Sequence, residues 1–315
     1  MVQDSCLMEA KATNVSDLSN CSVCILLAAY NGGEYIRDQI ESILLQSHIN
    51  WSVFVNIDKS DDNTASIVRE FESRDSRILL LKTEETFGSA GKNFYDLLKN
   101  APIDQYDYVA FCDQDDIWQP EKLLEGLLIL QSGSFSGYSS SVTAFYPSGK
   151  EKFIKKSHPQ KSFDYKFESA GPGCTYVFDK KIGLKVRSTL LNHPHIQSNF
   201  YYHDWLVYFI ARDNDESWYI DARSFMRYRQ HENNDTGANS GLAAALMRLR
   251  LFKNGWYLNQ VYLLEDYLST RRSLNNNFGS RGGLRIRWLW MFVRARRSKL
   301  HSIILCICMI LRVIK

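Results

Sequence analysis

The fold is decided by residues 108–118, which read YVAFCDQDDIW. The apolar run 108–112 predicts a strand buried on both faces, and the carboxylates of Asp113, Asp115 and Asp116 follow it directly. Negative charges this close raise each other's pKa unless a cation or hydrogen-bond donors neutralise them. Because hard oxygen ligands suit Mg²⁺ and Mn²⁺, the stretch predicts a divalent-cation site at the end of a strand.

Helix capping is the simpler interpretation of part of this stretch. Asp116 or Gln119 would cap a helix that begins at Pro120, and we expect this of one of them. Capping does not explain Asp113 and Asp115, so the prediction of a cation site rests on those two residues.

Strands and helices alternate upstream of the acidic stretch. Apolar runs predict strands at 22–29, 53–57 and 78–81, and apolar residues at helical spacing predict a helix after each of them. The helical residues are Ile36, Ile40, Ile43 and Leu44, then Ile67, Val68 and Phe71, then Phe94, Leu97 and Leu98. This alternation predicts an α/β fold with a doubly wound, mostly parallel sheet over the first 130 residues.

Polar residues stand at three of the predicted strand ends, namely Tyr30–Asn31, Asp58 and Asp113. In a sheet of this kind, ligands bind beyond the carboxyl ends of the strands. The loop 58–64 also offers carboxylates and hydroxyls, but Asp62 or Thr64 there is explained by helix capping. The residues alone therefore make Asp58 and Asp113 candidates for ligand binding.

The pattern after Leu130 loosens into serines and glycines and then resumes. We predict a strand at 174–178, a helix at 203–211 and a short strand at 218–220. Spacing alone leaves catalytic and structural roles open for the pair His203-Asp204 and for the run 228–234, because a lone histidine is more often structural than catalytic.

From Leu242 onward the spacing is again helical, and basic residues lie among aromatic ones. They are Arg285, Arg287, Arg294, Arg296, Arg297 and Lys299, set among Trp288, Trp290, Met291 and Phe292. Such a segment is typical of an interfacial helix on anionic lipid, and we favour this over a helix packed on the protein body. The apolar run 302–311 is shorter than the ~20 residues that span a bilayer.

Composition bounds the class of protein. The chain has 315 residues, 45% apolar side chains and a net charge of +3, which predicts a globular protein and excludes the strongly basic balance of a nucleic-acid binder. Its seven cysteines are scattered in apolar runs, as in a reducing cytoplasm, and we interpret the pair Cys21 and Cys24 as structural rather than redox or zinc-binding. The first residues lack the features of a secretory signal, so we expect a cytoplasmic protein.

Several motifs in fixed order resemble one family. They are AAYNGG (28–33), DKSDDNT (58–64), FG (87–88), KNF (92–94), FCDQDDIW (111–118), GPGC (171–174), HDW (203–205) and RQH (229–231), with Asn234 and Gly237. Over about 21–237 the chain resembles family 2 glycosyltransferases of the GT-A fold, closest to the rhamnosyl- and hexosyltransferases of bacterial O-antigen and capsule assembly. The ordered set is specific in a way that no single motif is.

The resemblance implies a role for each matching residue. Asp58 would contact the nucleotide base, Asp113 would lie near the ribose, and Asp115 would hold Mn²⁺ or Mg²⁺ on the diphosphate. Asp204 would be the catalytic base of an inverting displacement. The remaining assignments are Ala29, Tyr30, Asn31, Asn93 and Gln114 to the nucleotide sugar, Arg229 and His231 to the diphosphate, and His231 also to the metal.

One motif departs from the family pattern. The family often has two aspartates and a glycine before the serine of the second motif, whereas this chain has Ile57-Asp58-Lys59. This difference affects the expected geometry of base recognition but leaves Asp58 in place.

We therefore expect four segments: a polar lead (1–20), a nucleotide-sugar-binding α/β half (21–130), an acceptor-binding and catalytic half (131–240) and basic amphipathic C-terminal helices (241–315) at the membrane. The expected function is metal-dependent transfer of a hexose to a polyprenyl diphosphate-linked sugar, by an enzyme peripheral on the inner face of the bacterial inner membrane. UDP-galactose, UDP-glucose and dTDP-rhamnose all fit as donors, with UDP-galactose placed first. The alternatives are a sugar nucleotidyltransferase and a non-catalytic membrane-bound scaffold of the same fold.

Overall fold

The computed structural model describes residues 18–231, 254–273, 295–298 and 302. The strands are β1 (Val23–Ala29), β2 (Trp51–Asp58), β3 (Ile78–Glu85), β4 (Tyr108–Asp113), β5 (Ile117–Trp118), β6 (Gly137–Phe145), β7 (Glu151–Ile154), β8 (Val177–Asp179) and β9 (Trp218–Arg229). The helices are α1 (Ile36–Leu44), α2 (Thr64–Arg74), α3 (Ala90–Asn100), α4 (Lys122–Gln131), α5 (Lys180–Asn192), α6 (Pro194–Asn199), α7 (His203–Asp213) and α8 (Trp256–Ser273). The chain divides into two compact units, Met1–Ser157 with Ala170–Ala238 and His158–Ser169 with Asn239–Lys315.

The strands of the first unit form a mixed sheet in the order β3-β2-β1-β4-β8-β6-β9-β5, with β7 beside β6. The four strands β3, β2, β1 and β4 are parallel, as the alternating pattern predicts. Every residue of β1 is buried, because helices cover both faces of a parallel sheet. The predicted halves 21–130 and 131–240 thus contribute strands to one continuous sheet.

The serine-rich stretch after Leu130 is a strand, which the sequence pattern did not predict. Within β6, Ser139 donates to the carbonyl of Ala170 at 3.0 Å and accepts from Nε1 of Trp218 at 3.0 Å. Ser141 donates to the carbonyl of Asp221 at 3.2 Å. Because these hydroxyls have partners inside the protein, polar residues occupy the middle of a sheet that is usually apolar.

The two strands predicted after Leu130 have different bounds in the structure. The strand expected at 218–220 continues to Arg229, and its polar residue Asp221 is buried against the guanidinium of Arg223 at 2.7 Å. The strand expected at 174–178 is a 3-10 turn, Gly173–Thr175, followed by the short β8.

The second unit joins the segment His158–Ser169 to α8 and to residues 295–298. Lys166 pairs with Glu265 at 2.8 Å, and the Tyr257 hydroxyl donates to the carbonyl of Phe167 at 2.6 Å. The backbone N–H of Arg297 donates to Glu168 at 2.6 Å, and its guanidinium lies 3.7 Å from Asp164.

These contacts correct part of the lipid prediction. Arg296 also pairs with Glu168, at 3.2 Å, so two of the basic residues assigned to anionic lipid are neutralised by carboxylates instead. The other basic residues of that prediction, and the apolar run after Ser302, lie outside the described residues. No helix within the described part of the chain is long and apolar enough to span a bilayer.

Candidate active site

Three polar strand ends meet at one edge of the sheet. Ala28 pairs with Asp113 across β1 and β4, and Ala29 pairs with Ile57 across β1 and β2. Tyr30, Asp58 and Asp113 therefore follow neighbouring strands at the carboxyl edge, where the sequence predicted a ligand site.

Side chains from neighbouring loops fix the turn at 30–33. Four consecutive backbone N–H groups each donate to a side chain: Tyr30 to Gln114 at 2.8 Å, Asn31 to Ser60 at 2.9 Å, Gly32 to Thr64 at 2.8 Å and Gly33 to Asp62 at 2.8 Å. The Asn31 side chain in turn accepts from the N–H of Asp61 at 2.9 Å, while its backbone adopts a left-handed φ of 43°. The turn is thus held by the loops after β2 and β4.

The capping interpretation of the loop 58–64 is partly wrong. The cap position of α2 is Asn63, whose side chain makes no capping bond. Asp62 does accept from the backbone N–H of Thr64 at 3.0 Å, but it also holds Gly33 of the 30–33 turn. Asp62 and Thr64 therefore have a structural role at the site that the sequence analysis missed.

Asp58 lies at the end of β2 and is only 7% exposed. Its carboxylate accepts from the backbone N–H groups of Phe87 and Gly88, both at 3.0 Å, so it fixes the loop that follows β3. A carboxylate has more acceptor sites than these bonds use, so contact with a base stays a prediction.

Asn93 has a different environment from the one predicted for a donor-binding residue. It is 2% exposed, and its amide donates to the carbonyls of Ala29 and Asn56, both at 3.4 Å. Asn93 therefore bridges the ends of β1 and β2 from inside the protein, and Ala29 is likewise buried. Direct contact of either side chain with a donor stays a prediction.

Asp115 and His231 form the pair predicted to hold a metal. Oδ2 of Asp115 lies 2.7 Å from Nε2 of His231, although 116 residues separate them in the chain. The ring of Tyr35 stacks on the imidazole with centroids 4.9 Å apart. One carboxylate oxygen and one imidazole nitrogen thus converge at this edge of the sheet.

Arg229 supports this pair from the end of β9. Its Nε donates to the carbonyl of Asp115 at 2.8 Å, its backbone N–H donates to Asp116 at 3.1 Å, and its guanidinium pairs with Asp38 at 2.8 Å. The guanidinium also lies 4.7 Å from the ring centroid of Tyr35. Arg229 therefore holds the acidic loop in place; the predicted contact with a diphosphate stays a prediction.

Asp116 belongs to the site and does not cap a helix, which contradicts that interpretation. Helix α4 begins at Lys122, and the preceding residue, Glu121, makes no side-chain capping bond. Asp113, Asp116 and Cys174 place potential ligand atoms within 4.8 Å of one another. Burial, together with the charges of Asp115 and Asp113, raises the pKa of Asp116 well above its usual range. The third carboxylate of the motif was the sequence signal for this residue.

A buried lysine, Lys122, lies near Asp116 of the acidic motif. Lys122 is 2% exposed, and its Nζ sits 3.5 Å from the ring centroid of Trp118. Burial lowers the pKa of Lys122 to about 8, while the neighbouring Cys112, Cys174 and Asp116 oppose that shift. Burial also raises the pKa of Cys174, so this thiol stays protonated and is a poor ligand for a hard cation.

His203 and Asp204 begin α7, which the sequence predicted as a helix. The His203 ring stacks on Phe94 at 4.0 Å and meets Phe111 edge-on at 4.9 Å. Burial lowers the pKa of His203 to about 3, so the imidazole packs among these rings as a neutral group at physiological pH.

Gly173 brings Asp204 next to the acidic motif. A Cβ at this glycine would lie 2.6 Å from Nε2 of His203 and 3.2 Å from Cβ of Asp204, so no larger residue fits without movement. The next residue, Cys174, contacts the Asp113 and Asp116 group. Two consecutive residues therefore connect the predicted base to the predicted metal and ribose motif.

Comparison with known proteins gives the chain a family. The model of glycosyl transferase family 2 matches residues 24–188. The dTDP-rhamnosyl transferase RfbG of Shigella flexneri is 39% identical over 91% of this chain and 100% of its own length. The UDP-Glc:alpha-D-GlcNAc-diphosphoundecaprenol beta-1,3-glucosyltransferase WfgD of Escherichia coli is 34% identical over 62% of this chain and 72% of its own.

A solved structure supports the fold. S. aureus TarS 1–349 in complex with UDP-GlcNAc superposes with a TM-score of 0.50 at 17% identity, covering 73% of this chain and 65% of that one. This likeness agrees with the GT-A-like α/β sheet predicted from the motifs.

Proposed function

The chain belongs to glycosyltransferase family 2, and from this we propose that it is an inverting rhamnosyltransferase that extends a polyprenyl diphosphate-linked sugar with rhamnose from dTDP-rhamnose. Membership of a family of sugar transferases removes the support for a nucleotidyltransferase or a non-catalytic scaffold. The chain is therefore a sugar-transferring enzyme.

The donor is chosen from the relative that matches along its whole length. RfbG carries the name of a dTDP-rhamnosyl transferase, which supports dTDP-rhamnose over the UDP-galactose placed first from the sequence. The acceptor follows the name of WfgD, whose acceptor is a sugar on diphosphoundecaprenol. Such an acceptor resides in a membrane, which supports a peripheral position on the anionic inner face of the bacterial inner membrane.

The donor set at Asp115 and His231 fits a divalent cation. Their ligand atoms are 2.7 Å apart, and a carboxylate combined with an imidazole suits Mn²⁺ better than Mg²⁺. Asp115 and His231 would hold the cation, with Asp113 beside them. When bound, it would neutralise the charge that develops on the departing nucleoside diphosphate.

The observation that best supports Asp204 as the base is the Gly173–Cys174 turn, where Gly173 packs against Asp204 and Cys174 lies beside Asp113 and Asp116. Asp204 would accept the proton of the acceptor hydroxyl while that oxygen bonds to the anomeric carbon of the donor sugar. The bond from that carbon to the diphosphate oxygen breaks on the opposite face, and the diphosphate leaves with the electron pair. A single displacement of this kind inverts the anomeric configuration.

Transfer assays test this function. The purified chain would be incubated with a synthetic polyprenyl diphosphate-linked sugar, Mn²⁺ and, in turn, dTDP-rhamnose, UDP-glucose and UDP-galactose. We expect an inverted rhamnosyl product that disappears with chelator. Turnover of a UDP-hexose alone would contradict the donor assignment, and turnover that resists chelation would contradict the metal assignment.

A further inference from the structure

The side chain of Gln114 is hydrogen-bonded to the backbone of Tyr30 on both sides of the residue. Its Oε1 accepts from the Tyr30 N–H at 2.8 Å, and its Nε2 donates to the Tyr30 carbonyl at 2.9 Å. Both polar groups of the amide are therefore engaged by one residue of another strand end, 84 positions away in the chain. A side chain used in this way is poorly placed to bind a ligand directly.

The surroundings of this contact leave little room for movement. A Cβ at Gly32 would lie 2.1 Å from Oε1 of Gln114, so the amide packs directly against the turn. The N–H of Asn31 is bound by Ser60, on the opposite loop. Tyr30 itself is 56% exposed, so its fixed backbone presents a solvent-facing ring at the end of β1.

Gln114 lies between Asp113 and Asp115, the residues assigned to the ribose and the metal. We propose that Gln114 is a positioning residue: it couples the acidic motif to Tyr30 and thereby sets the spacing between the metal half and the nucleoside half of the donor site. This inference rests on the proposed function, and it replaces the predicted direct contact of Gln114 with the nucleotide sugar. Binding of the nucleoside part of the donor depends on Gln114 through Tyr30.

Substitutions at Gln114 separate the two halves of the site. Gln114→Met keeps the length of the side chain and removes both bonds, whereas Gln114→Asn keeps the amide but is one methylene too short to reach both groups. We expect each variant to weaken binding of dTDP or UDP by roughly 10-fold, because the turn that carries Tyr30 is no longer held in one position by both bonds. Binding of inorganic pyrophosphate with Mn²⁺, which engages only the metal half, should stay at the wild-type level.

A double-mutant cycle with Tyr30→Ala identifies the route of the effect. Both Gln114 bonds go to the Tyr30 backbone, which Tyr30→Ala keeps, so the cycle tests whether Gln114 acts by positioning the Tyr30 ring. If it does, the variant that combines Tyr30→Ala and Gln114→Met binds dTDP no more weakly than Tyr30→Ala alone. Gln105→Met is the matched control, because Gln105 is exposed before β4 at the opposite end of that strand, and it should bind like the wild type.

Isothermal titration of these variants decides the inference. Additive losses in the double variant would mean that Gln114 affects the nucleotide by a route other than the Tyr30 ring, and equal losses for pyrophosphate and dTDP would mean that it acts on the metal half; either result overturns the positioning role. Circular dichroism confirms that each variant is folded, and the Asn variant serves if the Met variant is not. Failure of the wild type to bind any nucleoside diphosphate would instead overturn the proposed function, and this inference with it.

Discussion

Nε2 of His231 lies 2.7 Å from Oδ2 of Asp115, which joins the end of β9 to the loop that follows β4. Both atoms are of the kind that coordinates divalent cations, and both are held in place, His231 by the ring of Tyr35 and Asp115 by Arg229. The hydrogen bond between them brings the two proposed ligands together in the folded protein, which supports the proposed cation site.

We expect Asp115→Asn to abolish Mn²⁺-dependent turnover, since an amide oxygen lacks the charge that offsets the cost of stripping water from the cation. His231→Gln should weaken Mn²⁺ binding by at least about 10-fold. Titration calorimetry with MnCl₂ measures both, and His195→Gln, on the exposed helix α6, is the control. Unchanged Mn²⁺ affinity in His231→Gln would remove His231 from the metal site.

Asp204→Asn removes the predicted base while keeping the shape of the side chain. Turnover should fall by roughly two to four orders of magnitude, the range for loss of a general base, with nucleotide binding retained. Asp213→Asn, at the other end of α7, is the matched control and should stay active. Loss of nucleotide binding in Asp204→Asn would show instead that this carboxylate shapes the donor pocket.

Much of the fold followed from the sequence because each of the parallel strands β1 to β4 contains an apolar run and the strands alternate with amphipathic helices. The edge of the sheet that carries Asp58 and Asp113 followed from the same pattern. The strand β6 did not, because Ser139 and Ser141 satisfy their hydroxyls through residues distant in sequence. Such long-range partners cannot be predicted from the local sequence pattern.

The sequence predicted which residues belong to the candidate site better than it predicted their contacts. The acidic motif predicted Asp113 and Asp115 as site residues, but the burial of Asp116 and of Lys122 depends on tertiary packing. The same holds for Gln114, whose amide is hydrogen-bonded to the backbone of Tyr30. Hydrogen bonds that cross 84 residues of chain leave no trace in local spacing.

Gly173→Ala tests how closely Asp204 is positioned. The new Cβ would lie 2.6 Å from Nε2 of His203 and 3.2 Å from Cβ of Asp204, so the turn or the start of α7 must move, and a shift of about 1 Å at a reacting group costs on the order of 10²-fold in turnover. Gly126→Ala, whose Cβ would meet its nearest neighbours at 3.4 Å inside α4, should keep full activity and gain up to about 1 kcal/mol of stability. Steady-state kinetics and urea unfolding of both variants measure the contrast. Full turnover in Gly173→Ala would show that the turn tolerates the shift.

His203 gives the protein a predicted sensitivity to acid. Its pKa falls from the usual 6.5 to about 3 in the folded state, so below pH 6.5 the unfolded chain binds a proton that the folded chain does not. Above pH 6.5 His203 is neutral in both states and does not make stability depend on pH. The free energy of unfolding then falls by about 1.4 kcal/mol for each pH unit between about 6 and 3. His203→Phe keeps an aromatic ring on Phe94 and should lose less stability between pH 7.5 and pH 5 than the wild type. Urea unfolding at the two pH values measures this, and parallel losses in both proteins would contradict it.

Arg297→Gln distinguishes an internal role for this guanidinium from a role at lipid. Arg297 is buried, and its guanidinium lies 3.7 Å from Asp164, which is 0% exposed, and 3.6 Å from Glu168, so removing the cation takes away the positive charge beside two carboxylates in the protein interior. We expect a loss of roughly 3–5 kcal/mol in the free energy of unfolding, measured with urea. Asp164→Asn should also destabilise the protein, and the two changes together should cost less than their sum because they break one pair.

Sedimentation with vesicles of anionic phospholipid should be the same for wild type and Arg297→Gln under conditions where both are folded. Reduced vesicle binding with unchanged stability would instead assign Arg297 to the membrane surface, as the sequence first indicated.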